Sequence, residues 1–155
     1  MKNSVILNFS SILLLVVFLF ACEKENEGNE TKISSFGSSE SHNNGENCMN
    51  CHKSGSDGEG WFTTAGSIYN SSFTAPYMNG TVNLTTEPQN GGITKATIEV
   101  DKKGNFYTTT PIDFAGGLYV SITGTTGTTK YMMSKITTGQ CYSCHGNSTD
   151  DIWAE

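Results

Sequence analysis

Four of the five cysteines in this chain fall into two copies of one spacing, Cys48-Met49-Asn50-Cys51-His52 and Cys141-Tyr142-Ser143-Cys144-His145. Two of the three histidines follow directly on the second cysteine of each copy. Thiols spaced in this way serve three chemistries. They can add to the two vinyl groups of a haem while the next residue turns inward to ligate the iron. They can close a zinc site as two CxxC pairs. They can also form disulfides or a redox dithiol.

The three chemistries use the histidines differently. A zinc site built from Cys48, Cys51, Cys141 and Cys144 leaves His52 and His145 without a role. A dithiol of the thioredoxin type expects a βαβ context, and both copies lie among Gly-rich loops and strand-like runs. A structural disulfide has no reason to place a histidine after each second cysteine. The duplicated CxxCH therefore resembles the attachment motif of c-type cytochromes. That resemblance implies two covalently attached c-type haems, one on Cys48 and Cys51 with His52 on the iron, the other on Cys141 and Cys144 with His145. It also implies export, because haem c is attached outside the bacterial cytoplasm. The expected role is electron transfer between redox protein partners, with no catalytic residues. A peroxidase- or sensor-like activity would need one iron with an open side. The alternative is a surface binding or spacer module with a structural four-cysteine zinc site.

Each haem of this kind takes a second axial ligand or leaves a position open. Met132 and Met133 are the first candidates, a short way before Cys141, with Met78, Met49 and His42 behind them. Alternation along a strand sends Met132 and Met133 to opposite faces, so at most one belongs to a core. His42 stands in a polar stretch before Cys48, where a solvated histidine is the simpler reading.

The N-terminus, MKNSVILNFSSILLLVVFLFAC, carries one Lys and then an apolar run too short for the roughly 20 residues of a spanning helix, so it reads as an export leader. Leu19-Phe20-Ala21-Cys22 resembles a lipobox, which implies lipidation at Cys22 and a membrane anchor; Phe20 departs from the small residue usual at its position. The acidic Glu-Lys-Glu-Asn-Glu that follows resembles the signal that sends lipoproteins of Bacteroidota type to the cell surface. The expected location is thus the outer membrane or cell surface. Without the leader, eight Lys stand against 15 acidic residues, and the chain has no Arg. No clustered cations are available to neutralise phosphates, which argues against nucleic acid as a partner.

The elements that must position the cysteines come from the middle of the chain. Residues 1–21 are the leader, and 22–47 are a polar tether with a reach of roughly 25–30 Å. Residues 48–60 and 137–155 hold the first and second haem-binding segments. Between them, residues 61–136 show short Thr-, Val-, Ile- and Tyr-rich runs with period two, an all-β pattern of six or seven strands. Residues 96–100 and 106–108, joined by Asp101-Lys102-Lys103-Gly104, are expected to pair as a hairpin. Residues 118–123 turn through Gly124 to Gly127 into Lys130. Residues 81–86 and 66–70 supply further strands. The runs GSIYN, TVNLTT and ATIEVDKKGNFYTTTPIDFAGGLYVSITG resemble the carboxypeptidase-regulatory or transthyretin-like β-sandwiches of secreted bacterial proteins. The expected fold is thus all-β, a single small Ig-like or transthyretin-like sandwich flanked by two haem-binding loop segments. An odd strand count would put the two segments at opposite poles, far enough apart that electrons would pass between molecules associated head to tail.

Overall fold

The computed structural model describes residues 29–155. The leader and Cys22 lie outside the described residues. Nine short strands are present among the described residues: β1 (Thr64–Ser67), β2 (Tyr69–Asn70), β3 (Thr81–Thr85), β4 (Thr94–Glu99), β5 (Asn105–Thr108), β6 (Tyr119–Thr123), β7 (Thr129–Tyr131), β8 (Gly139–Gln140) and β9 (Trp153–Ala154). Helical structure is confined to two 3-10 turns, Cys48–Asn50 and Cys141–Ser143. No helix among the described residues is long and apolar enough to cross a membrane.

The strands form a four-stranded sheet ordered β4-β3-β6-β7, a three-stranded sheet ordered β5-β1-β8, and a pair β2-β9. Period-two patterning explains the four-stranded sheet. Val82 and Leu84 on β3, Ile98 on β4 and Ile122 on β6 turn to one side and are buried, while Asn83 and Thr97 turn to the other and hydrogen-bond across it. Phe106 of β5 and Ile68, just after β1, join them in one core. Each such fully buried apolar side chain stabilises the fold by about 1.5–3 kcal/mol relative to exposure.

Two expectations are corrected. Residues 96–100 and 106–108 do not pair with each other. β4 pairs with β3 and β5 pairs with β1, so the turn at residues 101–104 carries the chain from one sheet to the other. The turn itself is well made: buried Asp101 accepts from the backbone N–H groups of Lys103 (2.8 Å) and Asn105 (3.0 Å) through Oδ1. By contrast, β6 and β7 do pair through residues 124–128.

The polar tether is the second correction. From Asn29 onward it runs as a strap along the outer edge of β5. Ser34 N–H donates to the Tyr107 carbonyl (3.0 Å), Thr109 N–H donates to the Lys32 carbonyl (2.8 Å), and Ile33 bridges Thr108. The Ser34 hydroxyl is buried and donates to the Glu99 carbonyl (2.5 Å). Farther along, Asn105 donates through Nδ2 to the Ser41 hydroxyl (2.9 Å) and the His42 carbonyl (3.2 Å). The strap buries little apolar surface, and its hold comes from satisfying the open backbone groups of an edge strand.

Candidate functional site

Both CxxCH segments fold into the same local geometry. In the first, the Cys48 carbonyl accepts from the N–H groups of Cys51 (3.2 Å) and His52 (2.9 Å). In the second, the Cys141 carbonyl accepts from Cys144 (3.3 Å) and His145 (3.1 Å). Bonds from positions three and four to one carbonyl close a single helical turn, and side chains three and four apart on such a turn share a face. The two thiols and the imidazole of each copy are thereby gathered on one side. Asn47 caps the first turn by accepting from Met49 N–H (3.2 Å).

The loop after each turn then holds the histidine. His52 Nδ1 lies 2.9 Å from the Glu59 carbonyl and 3.2 Å from that of Gly60, and His145 Nδ1 lies 2.8 Å from the Asp150 carbonyl. A carbonyl only accepts, so Nδ1 carries the hydrogen and Nε2 keeps its lone pair, as a metal-ligating imidazole requires. Close packing makes the first loop possible: a Cβ on Gly58 would stand 2.6 Å from the Cys51 carbonyl oxygen and 2.9 Å from His52 Nδ1. In the second copy Gly146 has φ +75°, and a Cβ there would lie 2.6 Å from the Tyr142 ring. Its need for Gly thus arises from backbone and packing within the turn. Lys32 of the strap bonds the Glu59 carboxylate (2.8 Å), which raises the lysine's pKa and lowers that of Glu59.

Aromatic rings fix His52 from the side. Its ring stacks on Phe62 with centroids 4.1 Å apart and planes at 7°, and Phe62 stacks in turn on Tyr107 at 4.7 Å. Phe62 therefore supports the imidazole rather than filling the core. Tyr142 is buried and donates to Asp151 (3.1 Å), and burial pushes its phenol well above the usual range. Trp153 pairs with Tyr69 in β9 and lies beneath the Lys130 ammonium (3.7 Å).

Each turn faces its own cleft. The first, about 870 Å³, is lined by Cys48, Cys51, His52, His42, Phe62 and Tyr107. The second, about 570 Å³, is lined by Cys141, Cys144, His145, Met132, Phe106 and Trp153. Both volumes lie in the range of cofactor clefts. Tyr107 and Phe106 are neighbours on β5 and point to opposite faces of its sheet, so the clefts lie on either side of the β1-β5 ribbon. This corrects the expected placement at opposite poles. Strand β8 returns parallel to β1, with Thr64 beside Gly139, and delivers Cys141 against Gly66. Both 3-10 turns pack on β1.

Among the sequence candidates, His42 is brought to the first motif, its ring centroid 5.8 Å from that of His52. Met132 is half-buried in the second cleft, while Met133 is 87% exposed and turned away. Met49 and Met78 line neither cleft. The supporting roles of Gly58 and Tyr107 were not read from the sequence; the strict alternation of Phe106 and Tyr107 was the available signal for the latter. All four thiols are free. Among the described residues, no three or more His, Cys, Asp or Glu side chains gather in a metal-binding group. Burial, with a smaller contribution from Cys48, pushes the Cys141 thiol up to about 12, and burial also raises Cys48.

Comparison with family models, with curated proteins and with solved structures gives no match.

Proposed function

We propose that the protein is an exported dihaem c-type cytochrome, lipid-anchored at Cys22 on the outer membrane or cell surface, that carries electrons between redox proteins. The observation that carries this reading is the duplicated turn. In each copy one carbonyl gathers two thiols and an imidazole on one face, and a second backbone carbonyl holds Nδ1 so that Nε2 is free. Cys48 with Cys51 and Cys141 with Cys144 would hold the two haems as thioethers, each S–H adding across a vinyl C=C with no net oxidation. The bound haem iron supplies one-electron exchange. The chain would supply the fixed imidazoles, the thiols that clip each haem and the lining of each cleft. Since both clefts adjoin β1, electron passage between them requires no second copy of the chain, and head-to-tail association becomes a separate proposal.

The test is the mass of the mature protein combined with a pyridine haemochrome assay. Two haems are expected, with Cys48→Ala/Cys51→Ala losing one and Cys141→Ala/Cys144→Ala losing the other. Stoichiometric zinc without a Soret band would overturn the reading.

A further inference from the structure

We infer that the two sites are completed by different ligands, His42 at the first and Met132 at the second. One iron would then be held by two imidazoles and the other by an imidazole and a thioether. This rests on the dihaem reading above.

The first cleft contains one histidine besides His52, and its backbone is pinned in place. The His42 carbonyl accepts from Asn105, and the carbonyl of its neighbour Ser41 accepts from Lys103 Nζ (2.7 Å). Asn105 is itself buried, 2% exposed, so the residue that presents His42 is part of the folded domain. Two imidazoles on opposite sides of one metal, each nitrogen about 2 Å from it, have centroids about 6 Å apart. The observed separation of 5.8 Å fits that span. The strap thus places a candidate distal imidazole at the distance a shared metal would set.

Among the described residues lining the second cleft, His145 is the one histidine and Met132 the one thioether. Its backbone is tied to β6, Met132 N–H donating to the Val120 carbonyl (2.9 Å), so the side chain emerges from an ordered ladder. The adjacent residue, Met133, is 87% exposed and does not line the cleft. Cleft lining and burial thereby select one methionine of the pair, since both residues lie just past the end of β7.

The functional consequence is a built-in direction. Thioether ligation raises reduction potential relative to a second imidazole. The second site is then the stronger acceptor, and electrons entering at the first cleft run downhill across the β1-β5 ribbon to the second.

The full-length holoprotein serves for the test, with haem content by mass as the control for every variant. Wild type should show a bis-imidazole low-spin signal by electron paramagnetic resonance, a methionine-to-iron absorption band, and two separate steps in a redox titration. His42→Ala should abolish the first signal and keep the band, and Met132→Leu should do the reverse. Met133→Leu should change neither. His42→Met, which exchanges one ligand for the other, should draw the two titration steps together. A wild type without the methionine band overturns the assignment, as does either ligand variant that keeps its signal with both haems bound. Absence of haem from wild type sinks the dihaem reading itself, whereas two haems with unaltered spectra sink only the ligand assignment.

Discussion

At the scale of single residues, the site depends on positions where a side chain would obstruct a fold-back. Gly58→Ala puts a Cβ against the Cys51 carbonyl and His52 Nδ1 at once. The expected outcome is haem loss confined to Cys48 and Cys51, with the second site fully loaded, as read by peptide mass. The thiols make a pH prediction. Cys141 in the folded chain holds its proton up to about 12, against an ordinary value of 9.0. A group whose folded pKa is raised contributes stability that is fully present below the unfolded value and is lost as pH rises through the folded one. Protein made without haem should therefore lose stability between about pH 9 and pH 12 through this residue, at a slope of up to about 1.4 kcal/mol per pH unit. Urea unfolding of the haem-free wild type and of Cys141→Ala across that window checks it, because the variant lacks this part of the slope. The spacing made the four cysteines and two histidines of the paired CxxCH turns legible from the chain alone. His42 was not legible in the same way, since its position depends on a buried Asn105 more than 60 residues away.

At the scale of elements, the four-stranded sheet was readable because Val82, Leu84, Ile98 and Ile122 obey a period that only a half-buried strand satisfies. The misread hairpin has a simple cause. The turn at residues 101–104 has the same local chemistry whether its flanking strands pair or part, and the choice is made by β1 and β3, which compete for them. The strap escaped the sequence for a related reason: backbone hydrogen bonds leave no trace in side-chain composition. Its role predicts that deleting residues 29–44 bares the edge of β5 and causes concentration-dependent self-association, measurable by light scattering. Strand β1 makes a second prediction. Gly66→Ala would place a Cβ 2.7 Å from the Phe106 ring and 3.2 Å from Cys141 Cβ, between a fully buried side chain and the second turn. Overpacking of this kind should lower stability by about 1–3 kcal/mol, seen as a lower urea midpoint.

At the scale of the whole molecule, the strap would set how a chain lipid-anchored at Cys22 stands on a membrane. Asn29 exchanges two hydrogen bonds with the backbone of Trp61, donating to its carbonyl and accepting from its N–H, beside the loop that holds His52. The expected lipid anchor at Cys22 is seven residues upstream, and seven residues of fully extended chain span at most about 25 Å. That length would be a ceiling on the distance from bilayer to docking point, where the whole 22–47 stretch fully extended would span up to about 90 Å. With an anchor at Cys22, the first cleft would be a low-lying port within reach of partners that share the membrane surface.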